Sequence, residues 1–234
     1  MPSKRRTGKI KDKWREKHWV SVFPSPGFEQ NQIAYIPISS NELAVGKTIE
    51  TTLFDITRQD PQQNMLIKLH FQVTGIQGNT ASTILKGEEY SREYLRSLVR
   101  RGASMVNFIK DYRTKDNAVV RVYVVAFTIG RINSSKKHQI RLASDEVISR
   151  KAKGLLYEQF AQESVKQLIA RELYENSKGI AKIRHIGVRK IKLIKSGVGM
   201  PSVPTPVEAE KESDEEEDLG GEEAPVIPAQ PVAA

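Results

Sequence analysis

Residues 182–197, KIRHIGVRKIKLIKSG, place Lys182, Arg184, Arg189, Lys190, Lys192 and Lys195 along a run of isoleucine, valine and leucine with no acid to balance them. Ammonium and guanidinium groups at this density suit phosphate: each neutralised phosphate releases condensed counterion, which is a strong but sequence-independent source of affinity. Alternation puts Lys182, Arg184, Lys190 and Lys192 on one parity and Ala181, Ile183, Ile191 and Leu193 on the other. One face of such a strand packs while the other grips an anion. Three further basic clusters differ in expected geometry. Lys4, Arg5, Arg6, Lys9, Lys11, Lys13, Arg15 and Lys17 form an N-terminal arm, Arg92, Arg96, Arg100 and Arg101 fall on a helix face, and Arg131, Lys136, Lys137, His138 and Arg141 occupy GRINSSKKHQIR, read as a loop. One charge run is usually a solvated face, but four in one chain point to a polyanionic partner.

Other chemistries have weaker anchors. VGKT at 45–48 resembles the end of a phosphate-binding loop, but position 41 is Asn41 where the motif needs glycine, and a β-branched strand follows where it needs a helix; Gly46 is read as a turn. His18, His70, His138 and His185 show no metal-ligand spacing. His70 reads as an exposed strand residue, and the other three, lying among cations, as phosphate contacts. No serine sits in a Gly-x-Ser-x-Gly elbow, and the chain has no cysteine, which removes disulfides, thiolate nucleophiles and cysteine-held metals. Neither a catalytic residue, a metal site nor a cofactor is expected.

The formal net charge of +9 hides a division. Residues 206–234 carry ten acids (Glu208, Glu210, Glu212, Asp214, Glu215, Glu216, Glu217, Asp218, Glu222 and Glu223) against Lys211 alone, so residues 1–205 keep 36 basic and 18 acidic side chains, a net +18. A compact body of that charge repels itself until an anion neutralises it. No apolar run is long enough for a membrane span, and the first residues lack the apolar stretch of a signal peptide, so a soluble, cytoplasmic protein is expected.

The elements that must hold these cations are mostly strands. WVSVF and IAYIPI are short strands, the second confined to a sheet edge by Pro37. KTIETTLFDIT is β-branched, and MLIKLHFQVT alternates cleanly, with Met65, Ile67, Leu69, Phe71 and Val73 on one face. TASTILK leads into a helix in GEEYSREYLRSLVRRG, stopped by Gly102. SMVNFIKDYR and AVVRVYVVAFTI flank TKDN as a hairpin, the second strand apolar on both faces and therefore central. Ser144 is expected to N-cap a helix running to about Lys153, and LLYEQFAQESVKQLIARELYEN to form one more. This sums to an α+β fold with a mostly antiparallel sheet, open to barrel-like closure, and about three helices. The expected organisation is a flexible basic arm over 1–17, a binding body over 18–198, and a linker with a disordered acidic tail over 199–234. Trp14, Trp19 and Tyr112 are rings able to stack on bases, Trp19 being equally suited to a core. No helix-turn-helix, zinc finger or basic zipper points to DNA. Arms and loops on a small β-rich body suit structured RNA, whose phosphates can be met from several sides.

KHWVSVFPSPGF, VGKT, VRVYVVAFTIGRINSSKKHQIR and HIGVRKIKLIK occur in an order that resembles the archaeal and eukaryotic small-subunit ribosomal protein S-three-Ae family, over about residues 11–196. The short N-terminal arm resembles the archaeal form. The resemblance implies a structural protein that binds rRNA on the platform of the small subunit, near the mRNA exit region and the 3′ end of the rRNA. Its implied partners are rRNA, neighbouring small-subunit proteins and mRNA near the exit site. The resemblance carries RNA contact onto Arg131, Lys136, Lys137, Arg141, Arg189, Lys190 and Lys192, and assigns no role to the acidic tail. The rival expectation is a free RNA-modifying or RNA-processing enzyme.

Overall fold

The computed structural model describes residues 14–60 and 64–197. The expectations placed on the basic arm before Trp14, including Lys4, Arg5, Arg6, Lys9, Lys11 and Lys13, and on the acidic tail lie outside those residues. The strands are β1 (His18–Val22), β2 (Ala34–Ile38), β3 (Thr48–Thr52), β4 (Ile67–Gln77), β5 (Thr80–Tyr90), β6 (Met105–Arg113), β7 (Val119–Thr128) and β8 (Ile183–Lys195). The helices are α1 (Leu53–Thr57), α2 (Arg92–Leu98), α3 (Ser134–Gly154), α4 (Tyr157–Val165) and α5 (Leu168–Ser177). The fold is α+β, as expected, with one mixed, mostly antiparallel eight-stranded sheet in the order β2-β1-β5-β8-β7-β6 and a branch in which β4 pairs with β5 and β3 with β4. The sheet is not closed into a barrel.

β5 is the pivot. One edge pairs with β4 along its length; the other is shared, with β1 running parallel at Thr80–Ala81 and β8 running antiparallel at Gly87–Glu89. Gly87 is required there, because a Cβ would collide with the Ile191 backbone carbonyl of β8. Pro37 does put β2 at an edge, where its missing N–H costs no ladder bond.

The alternation in β4 resolves as expected: Ile67, Leu69, Phe71 and Val73 are buried, and Leu53, Ile56, Leu85, Ala161 and Val165 pack on the first three. Burying a large apolar side chain contributes about 1.5–3 kcal/mol, so this face anchors the N-terminal half. In the C-terminal half, Val120, Val122, Val124 and Ala126 of β7 and Ile186, Val188, Ile191 and Leu193 of β8 line the face covered by α3 and α5, which bury Ile140, Val147, Ile148, Ile169 and Leu173 against it.

Four expectations need correction. KTIETTLFDIT is strand only to Thr52: the Thr52 hydroxyl and Asp55 form a capping box that opens α1. The helix after β5 stops at Leu98, with Val99 extended, so Arg100 and Arg101 sit in the following turn and not on its face. The segment 156–177 is two helices, broken by Gln167 at φ 59° in the left-handed region. GRINSSKKHQIR is mainly the first turns of α3, which starts ten residues before Ser144; Ser144 is buried in mid-helix and donates its hydroxyl to the Ile140 carbonyl at 2.7 Å.

Candidate nucleic-acid interface

The basic residues gather on two surfaces that the register of β6, β7 and β8 separates. Met105 pairs with Phe127, and Thr128 with Ile183, so the segment before β6, the segment after β7 and the segment before β8 meet at one end of the sheet. Backbone hydrogen bonds tie them together: Thr128 N–H donates to the Ser104 carbonyl at 3.0 Å, and Ile129 N–H to the Lys182 carbonyl at 2.9 Å. Arg100, Arg101, Arg131 and Lys182 are all exposed at this end, with Lys136, Lys137 and His138 in the opening turns of α3. Those turns hold no acidic residue, so cations stand at the positive end of the helix dipole. That arrangement disfavours the isolated protein and favours an anion bound across it. Arg141 is partly diverted from this surface, since its Nε donates to the Asn107 carbonyl at 3.1 Å and pins α3 to β6.

The second surface is the sheet face that α3 and α5 leave uncovered. In β7 its residues are Val119, Arg121 and Tyr123, opposite Lys195, Lys192 and Lys190 of β8 and opposite Arg113, Asp111 and Ile109 of β6. Simple parity along β8 does not produce this arrangement. Arg184, Arg189 and Ile194 are each skipped by the ladder, so bulges at these positions switch which parity faces inward. Ile183 is buried, then Ile186 and Val188, then Ile191 and Leu193. Lys190 and Lys192 therefore reach the open face as expected. Arg184 does not join them, being partly buried with one terminal nitrogen lacking a hydrogen-bond partner, beside His185 between the Tyr90 and Tyr94 rings. Burial and the Arg184 charge hold the His185 imidazole below its ordinary pKa, so its reading as a phosphate contact is not met.

Charge on the open face is only partly balanced. Arg121 grips Asp111 through two hydrogen bonds of 2.7 and 2.9 Å, and Lys190 Nζ lies 2.6 Å from Glu89 Oε2 on β5. Burial raises Glu89, but Lys190 and His70 outweigh it and keep the carboxyl below its ordinary range. Arg189 and Lys192 are exposed with no acid paired to them in these contacts, and Lys86, across the β5–β8 seam, is pushed down by burial and by repulsion from Lys192. Arg96 is exposed on α2, next to this face.

Three aromatic and histidine expectations change. Tyr112 is buried, its hydroxyl donating to Asp145 at 2.7 Å, and cannot stack on a base. Trp19 is 56 % exposed and anchors no core, and Trp14 lies under the Lys17 ammonium at 4.3 Å. His70 is partly buried, 3.6 Å from Glu89. Gly46 takes a φ of 86° in the turn before β3, with its N–H donating to the Val73 carbonyl, so VGKT forms no phosphate loop. Sequence reasoning missed Arg121 and Tyr123. The available signal was that they alone interrupt the aliphatic run VVRVYVVAF, two residues apart and thus on one face. No helix among the described residues is long and apolar enough to cross a membrane.

A family model described as the ribosomal S3Ae family matches residues 5–197. The chain is similar to the small ribosomal subunit protein eS1 of Desulfurococcus amylolyticus, 41% identical over 194 residues that cover 83% of this chain and 90% of that protein. It is likewise similar to the proteins of that name from Archaeoglobus fulgidus, 36% identical over 209 residues covering 89% and 99%, and Saccharolobus solfataricus, 37% identical over 188 residues covering 80% and 89%.

Proposed function

The chain belongs to the ribosomal S3Ae family, and from that premise we propose that it is a structural, non-enzymatic component of the small ribosomal subunit, acting in translation in the cytoplasm by holding folded rRNA. The observation that carries this reading is the separation of two basic surfaces on one rigid sheet: the loop end with Arg100, Arg101, Arg131 and Lys182, and the open face with Arg121, Arg189, Lys190 and Lys192. Cations on two differently directed surfaces fit an RNA whose strands approach from more than one side, and fit a single straight duplex poorly. The finer placement, on the platform near the mRNA exit region with neighbouring small-subunit proteins as partners and mRNA within reach, rests on the family resemblance.

The test is co-sedimentation of tagged full-length protein with small subunits from its own cell after a high-salt wash, followed by crosslinking from both basic surfaces. Retention with crosslinks to small-subunit rRNA supports the reading. Release into the supernatant together with turnover of free RNA would replace it with the RNA-processing enzyme.

A further inference from the structure

Where the open sheet face meets α2, the chain forms a cleft of about 400 Å³ lined by Glu89, Arg92, Tyr123, Arg189, Lys190 and Lys192. We infer that this cleft receives a single unstacked nucleotide of the bound RNA, its base against the Tyr123 ring, its phosphate among Arg92, Arg189 and Lys192, and its edge read by the Glu89 carboxylate. The inference rests on the rRNA-binding reading and adds to it a base-specific site.

A surface needed only to neutralise phosphate would be cationic throughout and convex or flat. This one is concave, has an aromatic side chain on a central strand, and places a carboxylate among four cations. Tyr123 is held by β6 and β8 on either side, opposite Ile109 and Lys190, so the platform is rigid. Aromatic rings presented on a sheet face are how many RNA-binding modules hold splayed-out bases, since every base has a π-face to stack.

Glu89 supplies the selectivity. Its Oε2 lies 2.6 Å from Lys190 Nζ and its Oε1 3.6 Å from His70 Nε2, contacts that keep it ionised and fix its direction. An ionised carboxylate only accepts hydrogen bonds. Guanine offers two adjacent donors, N1–H and the 2-amino group, which one carboxylate can accept together. Uracil flanks its single N–H with two carbonyl oxygens, which the carboxylate repels. The expected order is therefore guanine first and uracil last, with adenine and cytosine, each bearing one amino group, between.

The test uses full-length protein and four fluorescein-labelled RNA pentamers, UUGUU, UUAUU, UUCUU and UUUUU, with a structured small-subunit rRNA fragment as the parallel ligand. UUGUU should bind about ten-fold tighter than UUUUU. Tyr123→Ala should lower pentamer affinity about ten-fold, while Tyr123→Phe, which keeps the ring, restores it. Glu89→Gln should remove most of the preference for guanine over uracil, a ratio that a merely structural role for Glu89 would leave unchanged. Equal binding of all four pentamers, with Tyr123→Ala indistinguishable from wild type and the rRNA fragment still bound, overturns the nucleotide site and leaves the rRNA reading intact. Guanine selectivity without affinity for the rRNA fragment supports the cleft and sinks the ribosomal reading, and loss of both binding activities removes the two together.

Discussion

Glu88, carried into the interior by β5, accepts a hydrogen bond from the Ser164 hydroxyl of α4 through one carboxylate oxygen, while the other oxygen is buried with no partner. Burial pushes this carboxyl from its ordinary 4.5 up to about 8, only partly opposed by Ser164. Below pH 4.5 the group is protonated in both states; between 4.5 and 8 the folded chain keeps a proton that the unfolded chain releases, so stability falls as pH rises. His185, held below its ordinary 6.5, works in the opposite direction up to that pH and leaves 6.5 to 8 as the clear window. Across it stability should fall by up to about 1.4 kcal/mol per pH unit. Urea titrations of wild type and Glu88→Gln check this: the variant should lose most of the slope, and an unchanged slope assigns the effect elsewhere.

Replacing both Lys190 and Lys192 with alanine should weaken binding to structured RNA and lower the slope of log affinity against log salt by roughly two, about one per lost phosphate contact. Both side chains lie on the open face, and the Lys190–Glu89 pair is partly exposed, so the stability cost should stay within about 1 kcal/mol. A large drop in melting temperature would mean that the bulges in β8 turn these residues inward.

Gly87→Ala should be far more damaging than its single methyl suggests. The added carbon meets the Ile191 carbonyl, a backbone atom that can give way only by separating β5 from β8. The melting temperature should fall by several degrees, and affinity for RNA should fall with it, since Glu89 and Lys190 sit across the same seam.

Tyr157→Phe keeps a fully buried ring but strands the Leu85 carbonyl, which accepts the Tyr157 hydroxyl at 2.7 Å. A buried acceptor left without its donor costs about 1–3 kcal/mol, to be read from chemical denaturation. RNA affinity of the folded variant should match wild type, because the hydroxyl lies away from both basic surfaces.

Truncation after Val203 removes a net −9 from a chain whose remainder carries +18. Random RNA should then bind tighter, most visibly at low salt, where competition between the two charges is least screened, with thermal stability unchanged. Equal binding by both forms at low salt would reduce the acidic residues to a solubilising role.

Short-range patterns were legible wherever one face met water and the other a core. The alternation of Ile67, Leu69, Phe71 and Val73, the hairpin around TKDN and the edge position forced by Pro37 each follow from the chain's own period. The start of α3 was not, because Ser134 to Gln139 are all polar and the first buried residue of the helix is Ile140. Asn133 takes the capping conformation without a side-chain hydrogen bond, so no N-terminal signature marks it. The left-handed Gln167 that divides α4 from α5 interrupts an apolar pattern that a single helix would equally explain. Cations were the most visible part of the candidate site, whereas its shape was set by partners distant in sequence: Glu89 and Lys190 are 101 residues apart, and the bulges at Arg184, Arg189 and Ile194 exist only in register with β7.

The position of β8 governs when the molecule can become complete. It is the last strand in the described chain yet lies between β5 and β7, so an emerging polypeptide must hold open the slot at the centre of its own sheet until residues 183–195 arrive. During that interval β7, aliphatic on both faces over much of its length, and the end of β5 present unpaired edges, the kind of surface that adds strands from other molecules. Any interruption of synthesis before residue 183 leaves a product that is both sticky and stripped of Lys190 and Lys192. Completion of the sheet and arrival of half the anion-gripping surface are therefore one late event, and only a full-length chain can be both aggregation-resistant and competent to bind.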